Sequence, residues 1–258
     1  MNIVNNILVP VDFSDSATGA IKYVVGMAAF DTKLECILYH VLEEAEKRSE
    51  VEQNLMSIKE SLFDGKGIKC WVVVRNGDFL EKLIEDQIEL KVDLIVMGTT
   101  GHANNRDETH AAELLQGADC PALIIPEGFD QFRLKKIALA LDENEFDNSF
   151  DLQVFHDFAK WYNAKVHLIK VDKTGQGGGV HELKNEDTVE YYMESLDYLY
   201  SFPKNEDIEK GILDYVREND IDALAIMPRT HAKKTRPSEG RLTKVLAKHS
   251  TVPLLVLD

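Results

Sequence analysis

The chain has 258 residues, of which 44% are apolar and 29% charged, a composition that supports a substantial buried core and excludes a disordered tail. Lysine plus arginine total 29 against 45 aspartate plus glutamate, for a formal charge of −16. That excess repels polyanions and argues against nucleic-acid or anionic-membrane partners.

No apolar run reaches the roughly 20 residues that span a bilayer. Met1–Asn6 lacks the basic start and long apolar stretch of a signal peptide, so a cytoplasmic protein is expected. Cys36, Cys70 and Cys120 are an odd number without CxxC spacing, each in or beside an apolar run. They read as reduced core residues, with no zinc site implied.

In chain order, short Val/Ile/Leu-rich runs alternate with longer segments of helical period. The first strand is expected over Asn6–Val11, and the following helix shows Ala17, Ala20, Ile21, Val24, Val25 and Ala28 along one face. Further strands are expected over Glu35–His40, Lys69–Val74, Asp93–Met97 and Ala122–Ile125. All are continuously apolar, as strands are when helices cover both faces of a parallel sheet. The order βαβαβαβαβ defines an α/β open sheet.

This pattern then recurs. Ile7-Leu-Val-Pro-Val-Asp12 is answered 130 residues later by Ile137-Ala-Leu-Ala-Leu-Asp142. Asp93-Leu-Ile-Val-Met97 is answered by Asp222-Ala-Leu-Ala-Ile-Met227, and both aspartate-to-methionine separations, Asp12 to Met97 and Asp142 to Met227, are 85 positions. Cys120-Pro-Ala-Leu-Ile-Ile125 is matched by Val252-Pro-Leu-Leu-Val-Leu257. Three ordered landmarks near one offset predict two homologous domains, 1–128 and 135–258, joined through Glu127–Leu134. In the second, a short helix is expected over Glu186–Leu196 and the third strand over Asp197–Phe202.

Ligands of open parallel sheets sit beyond the carboxyl ends of the strands, where strand order reverses. Three segments leave those ends in the first half: Pro10-Val-Asp12-Phe-Ser14, His40-Val41, and Met97-Gly98-Thr-Thr-Gly101 leading to a helix near Thr109. Glycines let backbone approach a ligand, and a helix N-terminus offers N–H groups to phosphate. Asp12 also suits a plain turn or cap, with Ser14 or Ser16 starting the helix. Gly98 and Gly101 equally suit a turn alone.

Taken together, Val9-Pro-Val-Asp12-Phe-Ser14, Leu38-Tyr-His-Val41, Asp93-Leu-Ile-Val-Met-Gly98-Thr-Thr-Gly101 and Cys120-Pro-Ala-Leu-Ile-Ile-Pro126 resemble the universal stress protein family. The resemblance covers nearly the whole chain as a tandem pair, with the first half closer. It implies two Rossmann-like (adenine nucleotide α hydrolase-like) domains, each an open five-stranded parallel sheet. In the family's ATP-binding branch, Gly-x2-Gly-x9-Gly-Ser/Thr holds the phosphates, and an aspartate and a valine contact the adenosine. Carried over, the nucleotide-binding positions are Pro10, Asp12, Val41, Met97, Gly98, Gly101 and Thr109. The resemblance also implies pairing of the domains through the last strands as an intramolecular pseudo-dimer, an unidentified protein partner, and leaves a homodimer open.

The sequence departs from the pattern after Gly101. Glu108 and Thr109 stand where the family has Gly-Ser, and the loop is three residues shorter. Asp107 and Glu108 then lie where a triphosphate would, each costing on the order of 3 kcal/mol at about 5 Å and an effective dielectric of 20. This opposes tight ATP binding in the first half and leaves the cofactor open, a less charged adenine nucleotide such as AMP being compatible. In the second half, Asp142 and Val171 match Asp12 and Val41, but Ala140, Pro228 and His231 replace the proline and first two glycines. Gly240 is kept and is followed by Arg241. Arg229–Arg241 carries five Lys or Arg and one Glu, so Arg229, Lys233 and Arg241 are candidates for gripping an anion by side-chain charge, against the blander reading of a solvated loop.

Gly175-Gln-Gly-Gly-Gly179 lacks the Lys-Ser/Thr of a P-loop and reads as a connection. No His pair has metal-ligand spacing and no Gly-x-Ser-x-Gly elbow occurs, so no metal and no catalytic constellation are expected. Three functions remain: a stress-response regulator sensing an adenine nucleotide or small anion, a ligand-free interaction protein that kept the fold, and a slow nucleotide hydrolase.

Overall fold

The computed structural model describes residues 4–30, 33–99, 114, 120–141, 149–173, 186–227 and 241–257. The chain divides into two compact units, Met1–Arg133 and Leu134–Asp258. In the first, β1 (Asn6–Pro10), α1 (Asp15–Ala28), β2 (Glu35–Leu42), α2 (Arg48–Leu62), β3 (Lys69–Asn76), α3 (Phe79–Glu89), β4 (Leu94–Thr99) and β5 (Ala122–Pro126) follow in order. Their strands pair in parallel in the order β3-β2-β1-β4-β5.

The central strand explains the core. Ile7, Leu8 and Val9 of β1 have no exposed surface, as the continuous apolar run requires when both faces are covered. Each such side chain contributes roughly 1.5–3 kcal/mol by leaving water. On the next element, Ser14 is the N-cap of α1, its Oγ accepting from the Ala17 N–H at 3.1 Å. Ala17, Ala20, Ile21, Val24 and Ala28 are buried as the periodicity predicts. Val25 is only half-buried and Tyr23 and Met27 are buried instead. The reason lies in the segment after β5: the Phe132 ring meets Tyr23 edge-on at 5.2 Å and covers Gly26, where an added Cβ would lie 2.6 Å from that of Phe132.

The second unit contains β6 (Lys136–Ala140), α4 (Ser149–Trp161), β7 (Lys165–Ile169), α5 (Glu186–Met193), β8 (Tyr198–Ser201), α6 (Ile208–Glu218), β9 (Ala223–Ile226), α7 (Arg241–His249) and β10 (Leu254–Val256). Its parallel order, β8-β7-β6-β9-β10, is that of the first unit. The strand expected over Asp197–Phe202 is present as β8, and the helix expected to Leu196 ends at Met193, where the Leu196 N–H turns back to the Met193 carbonyl at 2.9 Å.

The repeated aspartates ahead of the fourth strands have a structural job. In the first unit Asp93 Oδ2 accepts the N–H groups of Asn5 and Asn6 at 2.8 and 2.9 Å. In the second Asp222 Oδ2 accepts those of Lys135 and Lys136 at 2.7 and 2.9 Å. Each carboxylate thus clips the start of its first strand, and the recurrence of these landmarks is explained without a ligand.

Candidate functional site

Strand order in the first unit reverses at β1, and a cleft of about 610 Å³ opens there at the carboxyl ends of the strands. Pro10, Asp12, Val41, Met97 and Gly98 all line it, so five of the seven first-half positions selected from sequence come together in one place. The other two, Gly101 and Thr109, lie outside the described residues.

Asp12 is an exposed carboxylate held in a local turn. Its Oδ1 accepts the Ser14 N–H at 2.9 Å and the Ser14 hydroxyl at 2.5 Å. Between them Phe13 adopts a left-handed backbone, φ 63°, an uncommon state for a bulky residue. Its ring leans on the His40 imidazole at 5.2 Å. His40 is buried and spans two elements, with Nδ1 2.6 Å from the Val11 carbonyl and Nε2 2.9 Å from Glu46 Oε2. Glu46 also accepts the Glu43 N–H at 2.8 Å, which folds the segment after β2 beside the cleft. Burial pushes the Glu46 carboxyl up, but the Glu43 N–H and His40 outweigh it and hold the group below its ordinary value.

Gly98 departs from its expected place in a loop. It belongs to β4, in register with Ile125 of β5. An added Cβ would lie 2.1 Å from the Ser16 carbonyl oxygen and 2.4 Å from its carbon, so the missing side chain admits the first turn of α1. Close approach of backbone is the reason for this glycine, and the backbone is the protein's own.

Sequence reasoning passed over one wall of the cleft, the exit of the third strand. Gly77, Asp78 and Phe79 line it; Gly77 takes φ 129° and Asp78 caps α3 by accepting the Glu81 N–H at 3.0 Å. The Asn76-Gly-Asp78 turn followed by a helical run was the available signal. The run Glu43–Glu46 after β2 was also missed. Behind the wall, Tyr39 donates its hydroxyl to Asp86 Oδ2 at 2.8 Å, and Arg75 Nε donates to the same oxygen at 2.7 Å. Burial, then the Asp86 carboxylate, pushes the Tyr39 phenol well above its ordinary value.

The described lining residues include five carboxylates, Asp12, Glu43, Glu44, Glu46 and Asp78, and no lysine or arginine. Among the described residues no group of three or more His, Cys, Asp or Glu is placed to hold a metal ion, and no helix is long and apolar enough to cross a membrane.

Residues 4–126, the whole of this sheet and its cleft, match the Universal stress protein family. The first unit belongs to that family. Over its full length it is similar to the crystal structure of a universal stress protein from Archaeoglobus fulgidus DSM 4304, with TM-score 0.80 and 17% identity over 98% of each chain. It is also similar to that of a functionally unknown protein from Pseudomonas aeruginosa PAO1, with TM-score 0.67 and 15% identity over 98% of this chain and 92% of the other. At these identities both likenesses concern the fold. No curated protein matches significantly.

In the second unit, the candidate positions Asp142, Arg229, Lys233 and Gly240 lie outside the described residues. Arg241 begins α7. Val171, the counterpart of Val41, lies against Gly211 of α6, where an added Cβ would come within 2.8 Å of its Cγ1. Its observed contact is therefore packing of α6 on the strand end. A second polar cluster joins β7, β8 and α6: His167 Nδ1 lies 2.9 Å from the Tyr215 hydroxyl, which is 2.7 Å from Ser201 Oγ.

Proposed function

We propose that this chain is a regulatory, non-catalytic protein of the cytoplasm whose first-unit cleft takes an adenine nucleoside or mononucleotide and so modulates contact with a protein partner. The observation that carries this reading is the convergence of Pro10, Asp12, Val41, Met97 and Gly98 on one cleft at the switch point of the sheet. These are positions at which the family's ATP-binding branch meets the nucleotide.

The electrostatics select within that class. A carboxylate about 5 Å from a phosphate oxygen costs on the order of 3 kcal/mol at an effective dielectric of 20, and the described lining offers carboxylates without a compensating lysine or arginine. Adenosine or AMP is favoured over ATP. Calorimetric titration with adenosine, AMP, cyclic AMP, ADP and ATP tests this directly: binding should weaken as phosphates are added, and Asp12→Ala should weaken every ligand. No heat with any of them would remove the ligand from the reading.

A second reading, an interaction protein that keeps the fold without a ligand, is favoured by a specific observation. Asp12 and Gly98 already serve the protein's own turn and the seat of α1. Under it, mass spectrometry of denatured protein finds no stoichiometric small molecule.

A further inference from the structure

The first unit contains a pair of thiols that the cleft does not use. Cys36 on β2 and Cys70 on β3 are direct register partners in a parallel pair, so their side chains leave the sheet on the same face. Neighbouring strands lie about 4.8 Å apart, inside the Cα window of roughly 4.4–6.8 Å that a disulfide spans. Both are free and buried, and each is near enough to shift the other's thiol. The Cys70 thiol in turn reaches the Trp71 carbonyl at 3.8 Å.

The two sulfurs are not equivalent. Cys70 is on β3, the edge strand of this unit's sheet, and is the more exposed of the two, at 6% against 1%. Cys36 lowers the Cys70 thiol, burial opposes this, and the Lys59 ammonium assists it. Burial, and then Cys70, pushes the Cys36 thiol up. A thiolate is the attacking species toward peroxide and disulfide.

The geometry points to Cys36 and Cys70 as a redox-active dithiol that hydrogen peroxide converts to a cross-strand disulfide. The Cys70 thiolate attacks the peroxide, breaking the O–O bond to give the sulfenic acid and hydroxide, which takes up a proton. The Cys36 sulfur then attacks the sulfenic sulfur, its proton leaving with the hydroxyl as water. Two thiols lose two electrons and one peroxide becomes two waters. Parallel neighbours do not converge at their Cβ atoms, so the bond is strained and easily reduced, as regulatory disulfides are.

The test uses the reduced full-length chain, titrated with hydrogen peroxide, blocked with iodoacetamide and digested without reductant. Expected is a linked pair of peptides carrying Cys36 and Cys70, lighter by two hydrogens than their sum, reverting with dithiothreitol while Cys120 stays alkylated. In Cys36→Ala the Cys70 sulfenic acid should be captured by dimedone, and Cys70→Ala should slow loss of the Cys36 thiol about tenfold. A product linked through Cys120, a link between chains, or both thiols surviving a peroxide dose that fully oxidises glutathione would overturn the assignment. The peptide map needs no variant, so a variant that fails to fold leaves the result decisive.

Discussion

Replacing Gly98 by alanine separates the two roles that a glycine at this position can have. The new Cβ would lie 2.1 Å from the Ser16 carbonyl oxygen, about 1.3 Å short of ordinary contact. That atom is backbone in the first turn of α1, so no side-chain rotation relieves the clash and the helix must shift. Overpacking of this kind costs about 3 kcal/mol, and with a urea slope of about 2 kcal/mol/M the midpoint should fall by about 1.5 M. The chain has two tryptophans, Trp71 on β3 and Trp161 in α4, so Trp71 fluorescence in a Trp161→Phe background reports the first unit alone. A Gly98→Ala midpoint within about 0.2 M of that background would refute the packing account and return Gly98 to the ligand.

Asp86→Ala leaves the fully buried Tyr39 hydroxyl without its acceptor and should cost about 2–3 kcal/mol, read as a urea midpoint; adding Tyr39→Phe should recover part of the loss. Glu46 is held below its usual 4.5, so its contribution is complete above that pH and fades as pH falls through the folded value. The stability difference between wild type and Glu46→Gln should therefore shrink in urea titrations stepped down through this acid range. His167 is lowered from 6.5 by burial, then by Lys136 and Lys165. The unfolded chain then binds its proton first, and the second unit should lose stability as pH drops below 6.5, a slope that His167→Gln should remove in Trp161-monitored unfolding.

The strands were readable because they are buried on both faces, which leaves apolar runs such as Ile7–Val9 with no competing interpretation. Asp12, Val41 and Met97 could be placed at the strand ends because each closes such a run, and they do line the cleft there. Glu43–Glu46 was not, since a charged run without period carries no mark of which strand end it folds beside until His40 ties it down. Asp86 was hidden for the same reason, one acidic residue among several on α3, buried only because Arg75 and Tyr39 meet it. Gly98 was legible as a glycine but not in its purpose, which depends on a helix contributed some 80 residues earlier in the chain. Tyr23 was missed as a core residue because its cover is Phe132, a residue expected in a linker.

The carboxylate clips at Asp93 and Asp222 fasten the starts of the first strands, the opposite end of each sheet from the strands' carboxyl ends. Drift at one end therefore need not disturb the other: Pro10 has become Ala140 and Gly98 has become Pro228 between the halves, while the clip has kept both its residue and its two amide bonds. A sheet fastened in this way can vary in sequence at its carboxyl end while its architecture is kept.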